Sequence, residues 1–575
     1  MSAPSSAFKV LPTEHKTDGI FEELKELQRR FDYLPVEQLE KVAERRGLEL
    51  RDVHAIASYY PHFHLKPPAR VSVKVCDDMS CHLRGSYEMQ TALERRFQGT
   101  DESELSIRNV SCVGRCDHAP ALVVNDVYYD GYTPPEAITL VEQRLVGNAK
   151  PGSEYRRKQL ELACDPYNGE KPYTALREFV QSRDWPKLLG MIKDAGIKGM
   201  GGAGYPTHLK WESVRNNPSP EKYLICNADE SEPGTIKDRF IMTQLPHLML
   251  EGMVLAGLCV GAKRGYLYIR HEYKEQEEIL QQELLHCYQQ RLIGKKILGS
   301  ELSFDITLFV SPGGYICGEE TALLEAIEGK RAEPRNKPPF MASVGLWNKP
   351  TVINNVETLV FVTAVAAKGA AWFNSHGANG FTGLKFIGVT GHVNRPGIYE
   401  VPMGTTYGQL INDYAGGIPD NLPMQAFAPS GPSSGYLPAS MADLPIDFQT
   451  VSKAGSMVGS GAVVVCAAGT CMLDMALNCV RFFRNESCGK CVPCRVGSQK
   501  MTQILQAWTK GNYQLEDLPL VEELCHALKQ TSICGLGQIL PAPIQSVLKY
   551  FRTDVEEHLL NHRCPSGVCR MGGAV

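Results

Sequence analysis

No apolar run in the 575 residues approaches the ~20 that a bilayer-spanning helix requires. The first stretch, Met-Ser-Ala-Pro-Ser-Ser, lacks the apolar core of a secretion signal, so the expectation is a cytoplasmic protein. Positive charge is not in excess either: 60 Lys+Arg face 64 Asp+Glu, which leaves no polybasic footprint for nucleic acid. With 43% apolar and 22% charged residues the composition is that of an ordinary globular chain. Its length exceeds one core, and ~100 to 200 residues per domain predicts about three to five units. What the sequence does have is cysteine, 19 in all. Cytosolic thiols are kept reduced, so clustered cysteines read as metal or cluster ligands rather than disulfides.

The densest glycine stretch is Lys198-Gly-Met-Gly-Gly-Ala-Gly-Tyr-Pro-Thr-His-Leu-Lys-Trp. Without Cβ atoms, Gly199, Gly201, Gly202 and Gly204 let the backbone approach an anion and aim N–H groups at it, and Lys210 adds a point charge. A nucleotide or flavin phosphate suits such a cradle; the plain alternative is a flexible turn. It is no P-loop, because no Gly-Lys-Ser/Thr follows. Gly199, Gly201 and Gly204 spell G-x-G-x-x-G, but the residues before them do not read as the strand that a dinucleotide fingerprint must follow. Further on, apolar Tyr223-Leu-Ile-Cys empties into an acidic turn with Asn227, Asp229, Glu230 and Glu232, where open α/β sheets place ligand contacts. Carboxylates beside a phosphate site point to a flavin edge or sugar hydroxyls and weaken a phosphatase reading. Gly313-Gly-Tyr-Ile-Cys-Gly-Glu-Glu, Arg335-Asn-Lys-Pro-Pro-Phe and Asn354-Asn are further junctions, each also readable as a helix cap or solvated turn.

Cysteines fall into three groups. Strand-like Val71 to Cys76 and Ile107 to Ser111 each deliver a pair, Cys76 with Cys81 and Cys112 with Cys116. Four loop thiolates at such gaps suit a [2Fe–2S] cluster, with structural zinc as the alternative. Cys488, Cys491 and Cys494 follow at two-residue gaps, with Cys534 downstream, the pattern of a [4Fe–4S] cube. The tail holds His558 and His562, spaced as on one helix face, then Cys564 and Cys569. Two cysteines hold no cluster alone; with one more thiolate and a His they would complete a Cys₃His zinc site, the alternative being an untethered terminus.

The quoted motifs, together with Glu486-Ser-Cys-Gly-Lys-Cys-Val-Pro-Cys-Arg, resemble the NADH-binding flavoprotein subunit of respiratory complex I over about residues 165 to 555. The Cys76 to Cys116 region looks like the thioredoxin-like [2Fe–2S] subunit of that complex, fused in front. Such fusions typify diaphorase subunits of NAD-linked formate dehydrogenases and NAD-reducing hydrogenases. Leu437-Pro-Ala-Ser-Met-Ala-Asp-Leu-Pro-Ile-Asp-Phe and Ile533-Cys-Gly-Leu-Gly-Gln look most like the formate dehydrogenase β subunit. The resemblance implies FMN on Gly199, Gly201, Lys210, Asn227, Asp229, Tyr315, Gly318, Glu319, Asn354 and Asn355. It implies NADH stacked on that flavin beside Tyr205, Glu232, Glu320, Lys337 and Phe340, with Glu320 at the catalytic position. Met200 stands where relatives usually carry Arg. Hydrogenase-type relatives with a similar Cys-Pro ending imply Cys471 and His558 as partners of Cys564 and Cys569.

The expected fold is multidomain α/β. It comprises an N-terminal tail and helical lead-in (1–65), a thioredoxin-like [2Fe–2S] domain (66–147) and a linker (148–172). A Rossmann-like FMN/NADH domain (173–380), a β-grasp-like domain (381–465), a helical [4Fe–4S] domain (466–557) and a Cys/His tail (558–575) follow. By the same resemblance, hydride passes between nicotinamide and flavin, so ring stacking replaces an acid–base triad. Single electrons leave through the cube, with the [2Fe–2S] centre as branch or store. The expected partner is a catalytic subunit, a molybdenum or tungsten formate dehydrogenase or nickel–iron hydrogenase subunits. Rival readings are an electron-bifurcating module with ferredoxin as partner and a non-enzymatic iron–sulfur scaffold.

Overall fold

The computed structural model describes residues 19–148, 150–153, 160–512, 517–569 and 571. Residues 1–18, the start of the N-terminal tail, lie outside the described residues, as do 570 and 572–575 of the C-terminal tail.

Helices Ile20–Phe31, Val36–Arg46 and Leu50–Tyr59 follow the apolar spacing of Phe21, Leu24, Leu39 and Val42, all buried. Gly47 ends the second helix in the left-handed region, φ 60°, its N–H turned back to the last carbonyls. The three helices dock on the central α/β unit. The Phe21 ring lies edge-on to Tyr60 at 5.1 Å and to Phe309 at 6.4 Å, and the Tyr59 hydroxyl donates to the Ala332 carbonyl at 2.7 Å.

Strands β1 (Val71–Cys76), β2 (Leu105–Val110), β3 (Ala121–Val124) and β4 (Val127–Asp130) form a sheet in the order β2-β1-β3-β4. β1 and β2 are parallel and the other pairs antiparallel. Val71, Val73 and Val75 alternate inward against Met89, Leu93 and Leu140 of two covering helices. The second of these, Pro134–Leu145, starts with a Thr133/Glu136 capping box, worth about 1 kcal/mol.

The central sheet is all-parallel: β5 (Tyr223–Ala228), β6 (Arg264–Ile269), β7 (Asp305–Val310) and β8 (Thr351–Asn355), in the order β7-β6-β5-β8. The chain moves outward from β5 to β7, then returns to place β8 on the other side of β5. That reversal opens a crevice at the carboxyl ends of β5 and β8, where such sheets bind ligands. Helix Pro246–Val260 is apolar nearly all round and, His247 apart, buried, packing against Val356–Lys368. Gly252 permits the contact, since a Cβ there would stand 2.2 Å from the Leu359 carbonyl oxygen.

Strands β9 (Leu384–Gly391), β10 (Gly397–Pro402), β11 (Met424–Ser430), β12 (Leu437–Pro438) and β13 (Ala462–Ala467) pair in the order β10-β9-β13-β11-β12. β13 runs past residue 465, where the sequence reading ends this unit, because its apolar run continues into Cys466 and Ala467. Helices Met472–Asn485, Val492–Trp508, Asp517–Thr531, Ala542–Tyr550 and Arg552–Leu560 complete the fold, sharing one core with the N-terminal helices. The later part of the stretch read as a linker is docked: Cys164 is buried, and Glu400 accepts from the Ala163 and Cys164 N–H groups at 2.6 and 2.8 Å. Among the described residues no single helix is long and apolar enough to cross a membrane.

Candidate functional site

A helix, Trp185–Asp194, precedes the glycine-rich stretch, so the dinucleotide strand is indeed missing. The stretch closes on itself: Gly199 N–H donates to the Tyr205 carbonyl at 2.8 Å and Gly204 N–H to that of Gly199 at 3.2 Å. Helix Thr207–Arg215 follows at once and carries Lys210 and Trp211 toward β8. Lys210 Nζ reaches Glu320 Oε1 at 3.1 Å and the Ile353 carbonyl at 3.0 Å, while Trp211 Nε1 donates to Asn354 Oδ1 at 2.8 Å. A Cβ on Gly201 would stand 3.1 Å from Asn355 Cβ, so the loop lies directly over the end of β8.

Asn227, one residue before the end of β5, lies opposite Asn355 in the parallel register. Its Nδ2 donates to the Gly318 carbonyl at 2.9 Å, and a Cβ on Gly318 would meet the Asp229 carbonyl at 2.9 Å. Glycine is therefore required where these two turns touch. Glu319 caps helix Glu320–Ile327 by accepting from Thr321 and Ala322 N–H groups, and Asn355 caps Val356–Lys368 through Glu357 N–H. Both hold structural roles at the crevice mouth. Lys337 Nζ approaches Glu319 at 3.4 Å and Glu320 at 3.5 Å. Burial opposes ionisation of Glu320, and the Lys210 and Lys337 ammoniums outweigh it, holding the carboxyl below its ordinary value.

Asp229 accepts from Ser231 and Ser311 hydroxyls at 2.8 and 2.9 Å, yet burial still pushes it up to about 7. Burial likewise pushes Glu232 up to about 7, although it accepts from Ser433 N–H at 3.1 Å. Tyr315 N–H donates to Glu486 Oε2 at 2.7 Å, which ties this turn to the cysteine loop that follows Glu486. Thus Gly201, Lys210, Asn227, Asp229, Gly318, Glu319, Glu320, Lys337, Asn354 and Asn355 gather around one crevice. Tyr205, in the glycine-rich loop, and Phe340, three residues past Lys337, are 52% and 62% exposed and have no ring partner among the described residues, surfaces on which a planar group could stack.

Sequence reasoning overlooked a second layer. Lys237, fully buried, donates to Asp238 and Asn355 and pairs with Glu357 at 2.9 Å; Glu357 also accepts from Lys385 at 2.6 Å. The available signal was Lys-Asp-Arg at 237–239, three charges ahead of apolar Phe-Ile-Met in a helix that is buried throughout.

Cys76, Cys81, Cys112 and Cys116 are all buried and converge, with Cys112 Sγ and Cys116 Sγ 3.3 Å apart and Gly234 N–H 3.3 Å from Cys116 Sγ. Cys491 precedes helix Val492–Trp508, Cys494 sits in its first turn, and Cys534 caps helix Gly535–Ile539. A Cβ on Gly537 would approach Cys494 Cβ to 3.1 Å, so the short helix that Cys534 opens packs against the run of three. Both donor sets suit all-thiolate clusters. Cys471, His558, Cys564 and Cys569 offer ligand atoms all within 4.8 Å of one another. His562 does not share the helix face of His558, because the helix ends at Leu560 and its ring turns to the Gly511 carbonyl at 3.0 Å.

Residues 192–364 match the Nuo51 FMN-binding domain, 474–558 the NADH-ubiquinone oxidoreductase-F iron-sulfur binding region, 7–144 the thioredoxin-like [2Fe-2S] ferredoxin, and 386–435 the SLBB domain. The chain is 40% identical over 394 residues to the F subunit of NADH-quinone oxidoreductase of Escherichia coli K12, covering 68% of this chain and 88% of that one. It is 38% identical over 424 residues to the NADP-reducing hydrogenase subunit HndC of Solidesulfovibrio fructosivorans, covering 72% and 86%. Among solved structures, a chain of NAD+-reducing [NiFe]-hydrogenase in the H2-reduced state superposes with a TM-score of 0.84 at 30% identity, covering 96% and 95%.

Proposed function

Because the chain belongs to the family of the NADH-quinone oxidoreductase F subunit, with FMN-binding, [4Fe–4S] and thioredoxin-like [2Fe–2S] domains, we propose that it is a cytoplasmic diaphorase subunit exchanging electrons between NAD(H) and a separate formate dehydrogenase subunit. The chain is an NADH-oxidising flavin and iron–sulfur subunit. FMN, when bound, supplies the exchange between a nicotinamide hydride and single electrons.

The observation that carries the reading is the crevice between β5 and β8. The 199–204 backbone and Lys210 would hold the flavin phosphate, Asn227 and Asp229 its polar edge, and Asn354 and Asn355 the turn beneath it. Tyr205 and Phe340 would cover the nicotinamide nucleotide, with Glu320 held between Lys210 and Lys337 to orient its polar groups. Tyr315 links this crevice through Glu486 to Cys488, Cys491, Cys494 and Cys534, the proposed exit. Cys76, Cys81, Cys112 and Cys116 would hold the [2Fe–2S] cluster, and Cys471, His558, Cys564 and Cys569 a zinc ion.

The formate assignment rests on the Leu437–Phe448 and Ile533–Gln538 stretches. A nickel–iron hydrogenase partner is the second reading, favoured by the likeness to HndC and to the hydrogenase chain matched over 96% of this one. Pull-down with the tagged chain separates them, by a large molybdenum- or tungsten-binding subunit in one case and a nickel–iron subunit in the other. NADH-dependent ferricyanide or viologen reduction by the flavin-loaded chain tests the shared part. No turnover with either pyridine nucleotide would leave only the scaffold reading.

A further inference from the structure

Residues 229–234 form one short turn with two sides. Asp229 borders the crevice, where its carbonyl lies against Gly318, while the Glu230 carbonyl and the Gly234 N–H turn toward the cysteine loop of the neighbouring domain, the latter 3.3 Å from Cys116 Sγ. The Glu230 carbonyl accepts from Arg270 Nη1 at 2.9 Å, and Nη2 of the same guanidinium donates to the Cys112 carbonyl. Arg270 is only 4% exposed, and its third donor, Nε, is held by Glu272 Oε2 at 2.8 Å. The guanidinium thus bridges the flavin-side turn and the thiolate loop through its two outer nitrogens, with its counter-charge on Nε. Close approach is enforced by Gly114, φ 74°, whose Cβ would stand 2.6 Å from Tyr273 Cε1 and 3.2 Å from Arg270 Nη1. Arg239 clamps the same loop, donating to the Gly114 carbonyl at 2.5 Å and to both Asp117 oxygens at 2.7 and 2.6 Å.

A fixed positive charge in a dry interior favours whichever state of a nearby centre carries the extra electron. Arg239 is neutralised within the loop by Asp117, so its field there is small. Arg270 bonds the cysteine loop directly through Nη2, while its partner Glu272 lies outside that loop, so its field falls on the cysteine loop and Glu272 opposes it. We infer that Arg270 is a positioning residue that raises the reduction potential of the cluster held by Cys76, Cys81, Cys112 and Cys116, with Glu272 trimming the effect. The inference rests on that ligand assignment. Its chemical consequence is that the centre accepts an electron from the flavin side more readily than four thiolates alone would allow.

The test is an anaerobic redox titration of the full chain, followed by the electron paramagnetic resonance signal of the reduced [2Fe–2S] centre. In Arg270→Gln the ratio of reduced to oxidised centre at a fixed poise should fall at least about tenfold, a 59 mV drop for a one-electron couple. Arg270→Lys should recover part of that loss, and Glu272→Gln should move the potential upward. The [4Fe–4S] signal should titrate unchanged in all three. A merely structural role predicts loss of iron or shifts of one sign. An unmoved potential in Arg270→Gln and Glu272→Gln with full iron content, or a downward shift in both, would overturn the inference. No [2Fe–2S] signal from the unaltered chain would instead sink the ligand assignment, and the inference with it.

Discussion

Removing the two tail thiols, Cys564→Ser with Cys569→Ser, tests the zinc assignment with numbers from the structure. Zinc–sulfur bonds of about 2.3 Å and a zinc–nitrogen bond of about 2.0 Å set tetrahedral edges of roughly 3.8 Å between sulfurs and 3.5 Å between sulfur and nitrogen. Cys471 Sγ lies 3.6 Å from Cys569 Sγ and 3.5 Å from His558 Nε2. A disulfide would need about 2.05 Å. His558 Nδ1 faces the Asp554 carbonyl at 2.6 Å, the arrangement that leaves Nε2 unprotonated for a metal. The ligands Cys471 and His558 are 87 residues apart, so a cross-link closing that loop contributes up to about 4 kcal/mol of chain entropy. Elemental analysis after anaerobic purification should find about one zinc per chain, lost in the double variant with iron unchanged. Limited proteolysis should then cut the tail, and the C-terminal helices should unfold at lower urea. Zinc missing from the unaltered protein, or retained by the variant, would refute the reasoning.

Glu320→Lys places a third ammonium beside Lys210 and Lys337; NADH binding should weaken at least about tenfold, or 1.4 kcal/mol, while FMN fluorescence shows the flavin still bound. Cys494→Ser should leave stopped-flow bleaching of the flavin by NADH intact and abolish electron delivery to the partner; slow bleaching in a folded, flavin-loaded variant would contradict the proposed order. Glu357→Gln removes the buried carboxylate shared by Lys237 and Lys385 and should cost about 3–5 kcal/mol by urea titration. Asp229 and Glu232 are pushed by burial from 3.8 and 4.5 to about 7, so the folded chain binds more protons than the unfolded one across that interval. Their contribution to stability should be full below about pH 4 and lost as pH rises through 7, and Asp229→Asn should flatten that slope.

Local chemistry was legible in the sequence where a spacing is itself the site. Three cysteines at two-residue gaps need a loop and a helix start, and Cys491, Val492 and Cys494 provide them. Asn227 was legible because it follows an apolar run that reads as a strand, and Asn355 as a strand-to-helix junction; the two lie opposite each other near the ends of neighbouring parallel strands. The docking of Cys164 on Glu400 was not, since a polar, proline-bearing stretch looks the same whether free or anchored. Nor were Arg239 and Arg270, whose roles depend on which face one domain turns to another, something no periodicity encodes. His562 misled for a simpler reason: four-residue spacing implies a shared face only while the helix lasts, and this one ends at Leu560.

Helix Met472–Asn485 joins three of these places. Cys471, of the tail quartet, caps its first turn, with Asp474 N–H 3.4 Å from Sγ. One residue of that turn, Asp474, meets His82 Nε2 at 2.6 Å beside Cys81. A turn later Asn478 accepts from Met79 N–H at 2.8 Å and donates to the Asp77 carbonyl at 2.7 Å, a buried pair of bonds that fixes the Cys76–Cys81 loop from outside its own domain. The far end runs through Glu486, bound to Tyr315 N–H, into Cys488. A helix is stiff along its axis, so the same strut sets the spacing of both cysteine clusters from the flavin crevice. Electron transfer rates depend steeply on such spacings, whereas hydride exchange at the crevice does not involve them. Changes that loosen this helix at Asn478 should therefore slow delivery to the partner and spare NADH-driven flavin reduction, a separation that loss of any crevice residue would not produce.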